Sequence, residues 1–352
     1  MKRETTQNLD GSITVTETVA FKAVKRTTYS QDWPAYNAAQ TNEQDQFRRL
    51  LGDLCRDIQT PAPKSAKGGR PPLPLADAVF SVVFKVYSTF SGRRFISDLR
   101  AAQADGYISR LPHFNSIFNY LDNAELAPVL TRMIEQSAKP LAAIESDFAV
   151  DSTGFATSRF VRWYDHKYGV VRQEHDWVKV HMMCGVKTNV VTAVEIHDRH
   201  AADSPLLPAL VDKTAESFTM KEVSADKGYS SIDNHEVIAR HGATPFIAFK
   251  TNASGKRTRN LDRRPNGCAT WEKMFHFFSY QSEQFMAHYH KRSNVESTVS
   301  MVKAKFGDAV RSKTEIAMKN EALCKILAHN ICCLISAMYE LGVEPVLGQA
   351  VT

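Results

Sequence analysis

The sequence predicts an α/β protein in which a small all-helical segment precedes a sheet flanked by helices. Three observations predict it. From Leu73 to about Leu141 apolar residues recur at helical spacing. After Ile144 short β-branched runs alternate with helical ones and end in aspartate or Gly-containing turns. A chain of 352 residues, 43% apolar and 23% charged, has a globular composition and exceeds the size of one small domain.

Residues 1–67 read as a polar arm with one helix at about 43–58, "EQDQFRRLLGDLCRDI", whose Phe47, Leu50, Leu51, Leu54 and Ile58 share a face. The stretch "TPAPKSAKGGRPP" (60–72), rich in Pro, Gly and Lys, reads as a linker. Residues 68–145 then form the helical domain: "LPLADAVFSVVFKVYSTF", "RRFISDLRAAQADG", "LPHFNSIFNYLD" and "ELAPVLTRMIEQS", broken at Gly106 and Pro112. Short helices joined this way suit a helix-turn-helix type of bundle. In that reading the helix from Pro112 to Leu121 offers His113, Asn115, Ser116 and Asn119 to DNA while Phe114, Ile117 and Phe118 pack, and Arg93 and Arg94 contact phosphates. The alternative is a purely structural bundle.

Residues 146–312 carry the sheet. "DFAVDSTGF" reads as a strand ending at an aspartate, and "VKVHMMCGVKT" and "NVVTAVEIHD" as two strands joined by a Thr188-Asn189 turn. "DSPLLPALVDKTAE" is a helix with Asp203 or Ser204 as N-cap and Pro205 in its first turn. "KEVSADKGYSS" is a strand running into a second aspartate, "SIDNHEVIARHG" a helix closed by Gly242, and "TPFIAFK" a further strand. Residues 313–352 supply a C-terminal helix packing on this domain, its "AHNICCLISAMY" an apolar core segment.

Charge and cysteine narrow the function classes. The net charge of +6 is unevenly spread: Lys250, Lys256, Arg257, Arg259, Arg263 and Arg264 face only Asp262. Such a cluster suits a polyanion, or else a solvated loop. Six cysteines without a CxxC pair indicate neither a zinc site nor a disulfide framework. "MKRETTQNLDGS" lacks the apolar core of a signal peptide, and "AVFSVVF" is cut short by Lys85, so a cytoplasmic chain with no membrane span is expected.

The stretch "HYHKRSNVESTVSMVKAKFG" (288–307) is the most informative. Read as one helix with Tyr289 at 0°, it puts Arg292, Glu296 and Lys303 at about 300°, 340° and 320°. Val295, Val299, Val302 and Phe306 fall beside them as an apolar stripe at about 220–280°. A carboxylate among a guanidinium, an ammonium and a phenol suggests a metal and phosphates, although a solvated face shows the same pattern. His288 and His290 read as exposed side chains or phosphate contacts, since their spacing does not share one helix face. Asp151 and Asp226 each end an expected strand, and ends of neighbouring strands in open α/β sheets converge on one point. With Glu296 they make an oxygen environment natural for Mg²⁺. Two such ions about 3.5–4 Å apart can serve both oxygens of a phosphodiester displacement.

"DSTGF" around Asp151, "ADKGYSS" around Asp226, and Tyr289, Arg292, Glu296 and Lys303 at the spacing of the Tyr-Arg-Glu-Lys signature resemble the DDE transposases of bacterial insertion sequences. The resemblance covers 146 to about 312, and more loosely the helical segment from "GRPPLPLADAVF". It implies a ribonuclease H-like mixed sheet with Asp151, Asp226 and Glu296 as catalytic metal ligands for Mg²⁺, with Mn²⁺ an alternative. It also implies binding of terminal inverted repeats, hydrolytic nicking at the element's ends and joining of the 3′-hydroxyl to target DNA. Tyr289, Arg292 and Lys303 would hold phosphates near the cleaved end, and a homodimer would bring two ends together. At about 251–285 such proteins often carry an insertion that contacts DNA. Here Lys256, Arg257 and Arg259 fit a phosphate-binding arm, and Trp271, Phe275, Phe277 and Phe278 either a stacking surface or a small core of their own. The competing functions are an inverted-repeat-binding protein that does not cut, as a repressor or domesticated relic, and a nuclease that cuts without joining.

Overall fold

The computed structural model describes residues 2–7, 13–18, 32–59, 73–157, 177–197, 201–254 and 269–347. Two compact units result, Met1–Pro34 and Ala35–Thr352. The first contains an antiparallel hairpin of β1 (Lys2–Gln7) and β2 (Ile13–Thr18), where the sequence suggested only an arm.

In the second unit the helical segment opens with α1 (Trp33–Thr41) and α2 (Glu43–Cys55). On α2, Phe47, Leu50, Leu51 and Leu54 recur at i, i+3, i+4 and i+7 and are all buried. α3 (Leu75–Ser88) is apolar nearly all round and buried accordingly. Its buried Asp77 accepts from Ser109 N, Ser109 Oγ and Arg110 N at 3.1, 2.7 and 3.1 Å, which fixes the loop after α4 (Gly92–Ala104). α5 (Phe114–Leu121) and α6 (Leu126–Ala138) complete the segment. The boundary expected near residue 67 falls within 60–72, outside the described residues. On either side of it α2 and α3 pack together in the core that also contains the sheet.

The five strands run in the order β5-β4-β3-β6-β7, which is the ribonuclease H-like arrangement. β3 (Asp147–Ala156), β4 (Trp177–Gly185) and β5 (Val191–His197) form an antiparallel meander. β6 (Glu222–Ala225) and β7 (Thr244–Ile247) join parallel to β3. The β4–β5 turn is built by Asn189 in the left-handed conformation (φ 61°) and by Glu145, which accepts from the amides of Lys187 and Thr188. Glu145 is buried against Gly185, where an added Cβ would lie 2.3 Å from its Cδ. Gly185→Ala is therefore expected to dislodge the carboxylate from its amides and cost roughly 2–3 kcal/mol. Urea unfolding measures this, and a loss below about 0.5 kcal/mol would mean that Glu145 does not hold the turn.

The last helix, Glu315–Glu340, is long and apolar enough to cross a membrane, yet 78% of its most apolar window is buried in the protein. It is the spine joining the two layers. Asn320 Nδ2 donates to Leu121 O and Asn123 O on the helical side, and Asn330 exchanges hydrogen bonds with Val191 N and O on β5. These buried amides satisfy backbone groups that no strand or helix partner reaches.

Candidate active site

Asp151 lies in the middle of β3, where the sequence suggested the strand's end. The parallel partner β6 stops at Ala225, opposite Val150, whereas β3 continues to Ala156 against the longer β4. Asp151 and Asp226 are thus the next residues beyond a register pair, at the point where two neighbouring strands part. Ser152 N donates to Asp151 Oδ1 at 2.8 Å. Asp226 caps the 3-10 turn Lys227–Tyr229, taking Gly228 N on its Oδ2 at 3.3 Å.

The signature stretch is two helices and not one. Ser282–Tyr289 ends at the tyrosine, His290–Arg292 makes a 3-10 turn, and the signature helix Ser293–Phe306 follows. Arg292 links the acids from this bend: Nη1 stands 3.2 Å from Asp151 Oδ2 and Nη2 2.6 Å from Glu296 Oε1. The Arg292 guanidinium stands 6.0 Å from the Tyr289 ring centre, and burial, the largest cause, holds the phenol above its ordinary value. Burial likewise raises the Asp151 carboxyl; the Ser152 amide and Arg292 lower it, and Asp226 and Glu296 raise it further. Arg292 therefore joins Asp151 to Glu296 beside Tyr289, with Asp226 at the end of the neighbouring strand acting on Asp151 electrostatically.

Lys303 is not among them. Its Nζ sits 5.7 Å from the Phe155 ring centre, and burial lowers its pKa despite Asp308 nearby. It lies seven positions beyond Glu296, about 10 Å along the helix. Val295, Val302 and Phe306 form the buried stripe as expected. Thr298, opposite the polar face on the wheel, is also fully buried and bonds to Asn294 O and Asn189 Oδ1, because the helix is covered on two sides.

Among the described residues no three His, Cys, Asp or Glu side chains are gathered closely enough to hold a metal ion as they stand. The physical reason is Arg292, whose guanidinium lies between Asp151 and Glu296. The acids nevertheless suit a hard divalent ion: all three offer carboxylate oxygens, and Asp226 and Glu296 each raise the cost of ionising Asp151. The Glu296 side chain is 57% exposed and free to leave Arg292.

Other expected site residues are spread more widely. Arg93 and Arg94 are exposed on α4, and the Arg93 guanidinium lies 5.1 Å from the Phe114 ring. Asn115 is exposed in the first turn of α5, its amide capped by His113 Nδ1. Phe118 was expected to pack but is 46% exposed, because only one side of its ring rests on Gly92. Lys256, Arg257 and Arg259 lie in 255–268, outside the described residues. Trp271, Phe275, Phe277 and Phe278 surround Phe246, Phe249, Met274 and Phe285 in a second small core, the second of the two alternatives for these aromatics. His288 is no free surface side chain: its Nδ1 bonds Glu222, which together with Asp147 also holds Lys291 at 2.8 and 2.7 Å. That cluster ties the bend carrying Arg292 to the first residues of β3 and β6.

Sequence reasoning missed the support behind the aspartates. Tyr229, buried in the turn that Asp226 caps, shares a 3.2 Å hydrogen bond with His181 Nδ1 on β4. Burial lowers His181 to about 4, so the ring is neutral near pH 7. Asp203, expected only as a helix cap, makes no cap hydrogen bond and stands 2.7 Å from Lys179 Nζ. The two-residue alternation of Lys179 and His181 along β4 was the signal that they share a face with Ser152.

A ribonuclease H-like sheet with two aspartates at the parting of its central strands and a glutamate on a later helix defines a class of proteins built to act on nucleic-acid phosphodiesters. The family model described as Transposase DDE domain matches residues 143–331, more than half of the chain, and the chain belongs to that family. Its function is that of a DNA transposase, an enzyme of the nuclease and transposase kind. Among solved structures it is similar to a piggyBac transposase in a synaptic complex with hairpin DNA, at 11% identity over 89% of this chain and 77% of that one, with a TM-score of 0.39. No curated protein matches it.

Proposed function

We propose that this transposase binds the terminal inverted repeats of an insertion sequence, nicks their ends by metal-assisted hydrolysis and joins the freed 3′-hydroxyl to target DNA. The convergence of Asp151, Asp226 and Glu296, set by the Val150–Ala225 register pair and by the Arg292 bridge, carries the reading. These three carboxylates would hold Mg²⁺ or Mn²⁺. A divalent ion bound there supplies Lewis acidity to the scissile phosphodiester.

The chain's own residues prepare the DNA for that chemistry. The planar fork of Arg292 fits two phosphate oxygens as well as it fits two carboxylates, so an incoming strand can take it from Glu296 and release the acids for the ion. Tyr289, whose ring lies 6.0 Å from the Arg292 guanidinium, donates to the same phosphate. Lys303 adds a point charge about two helical turns further on. Arg93, Arg94 and Asn115 on the helical layer, with Lys256, Arg257 and Arg259, bind the flanking duplex. Two copies act together as a homodimer in the cytoplasm, one on each end.

The test is a plasmid carrying the inverted repeats that flank the gene, assayed for nicked and joined products with Mg²⁺ and with EDTA. Both products are expected with Mg²⁺ alone; full nicking in EDTA would sink the metal assignment, and nicking without joining would reduce the protein to a nuclease. Arg292→Ala and Lys303→Ala should each weaken binding to the cleaved end and reduce the salt slope by about one unit. An unchanged slope in both would remove them from the phosphate contacts.

A further inference from the structure

A cavity of about 360 Å³ lies away from the acids where α3, α4 and α5 meet the end of the signature helix. Its size is within the range of about 300–1,000 Å³ typical of small-ligand sites. Three cations line it, Lys85, Arg311 and Lys325, against one carboxylate, Glu321. That carboxylate is already engaged by Arg311 N, Ser312 N and Ser312 Oγ. Lys325 is likewise committed, donating to Gly307 O and Ala309 O.

Lys85 differs. It is 8% exposed and makes no direct ion pair among the described residues, Glu321 acting on it only at longer range. An ammonium on a largely buried side chain, held by no direct hydrogen bond or ion pair among those residues, can take an anion that reaches the cavity. Burial and then Arg311 lower its pKa while Glu321 raises it, and an anion in the cavity would add to the raising side. Beside it stand two aromatic side chains that a soluble protein would ordinarily cover: Phe90 is 51% and Phe118 46% exposed. An unpartnered cation with open aromatic faces suits a ligand that is anionic at one end and flat and apolar at the other, the chemistry of a nucleotide. Arg93 and Arg94, proposed above to bind the flanking duplex, directly follow Gly92 in its wall. Phe306, in its wall, closes the helix that carries Glu296, ten residues or about 15 Å away.

We infer that this cavity holds one unstacked nucleotide of the bound DNA, its phosphate on Lys85 and its base against Phe90 and Phe118. The inference rests on the DNA-binding reading above, but its test needs neither cleavage nor a metal. Calorimetric titration of the full chain in EDTA compares dAMP, deoxyadenosine and inorganic phosphate. dAMP should bind at least tenfold tighter than either, and Lys85→Met and Phe90→Ala should each weaken it tenfold or more. Phe90 is exposed, so its variant remains informative if Lys85→Met does not fold. Binding of dAMP no tighter than phosphate, or indifferent to Phe90→Ala, overturns the site.

A second arm separates DNA from a free nucleotide. A duplex with one unpaired 5-iodouracil, crosslinked by ultraviolet light and mapped by mass spectrometry, should mark Phe90 or Phe118. Crosslinks only elsewhere, with dAMP binding intact, overturn the DNA assignment in favour of a free nucleotide. A chain that passes both arms but never nicks DNA sinks the transposition reading alone; one that nicks and fails them sinks the cavity alone.

Discussion

Glu296→Gln is expected to lower nicking of an inverted-repeat end by at least about three powers of ten, roughly 4 kcal/mol of barrier, with DNA binding intact. The substitution keeps the size of the side chain and removes one anionic oxygen ligand. Its ion pair with Arg292 is more than half exposed at the glutamate, so little stability depends on it. Removing the charge also frees Arg292 for phosphate, and binding should stay equal or tighten. Single-turnover nicking with a gel shift on the same labelled end measures both quantities. A rate within tenfold of wild type would exclude the signature helix from the chemistry.

Asp151→Asn should abolish nicking to a similar degree and, in EDTA at pH 7, raise the melting temperature. Burial is the largest cause of the raised carboxyl pKa, with Asp226 and Glu296 adding to it and the Ser152 amide and Arg292 opposing it. A carboxyl whose pKa is raised on folding stabilises the fold while protonated, below its unfolded value near 3.9, and loses that stabilisation as pH rises through the folded value. At pH 7 the ionised group therefore opposes folding, and the neutral amide relieves the opposition. The advantage of the variant should shrink towards acid pH. Mg²⁺ should raise the melting temperature of wild type more than that of the variant, since binding to the native state stabilises it. Melting curves at pH 4 and 7 with and without Mg²⁺ decide this. A variant that melts below wild type at pH 7 and gains equally from Mg²⁺ would sink both the electrostatic account and Asp151 as a ligand.

The wild-type site gives these variants their meaning, because it is built from local patterns that only the fold brings into contact. Alternation and turn residues were sufficient to place β3, the β4–β5 hairpin, β6 and β7, and helical periodicity placed α2, α3 and the signature helix close to their observed bounds. Local propensity and periodicity are properties of neighbouring residues, so they are legible along the chain. The position of Asp151 within its strand was not, because it depends on where a partner 75 residues away stops pairing. The bend at His290–Arg292 escaped a single-helix wheel for a similar reason: Lys291 is held by Asp147 and Glu222 from two other strands.

By itself the sequence determined the class of fold and the order in which the chain delivers Asp151, Asp226 and Glu296. It also determined the family, through residue types at fixed spacing. Tertiary structure alone decided that Arg292 joins Asp151 to Glu296 while Lys303 stands apart over Phe155. It alone turned Trp271, Phe275, Phe277 and Phe278 inward while leaving Phe90 and Phe118 open beside Lys85. The physical reason is that burial and ion pairing are set by which surfaces meet across the whole chain, and hydrophobicity is the same number whether an aromatic ring finds a neighbour or not.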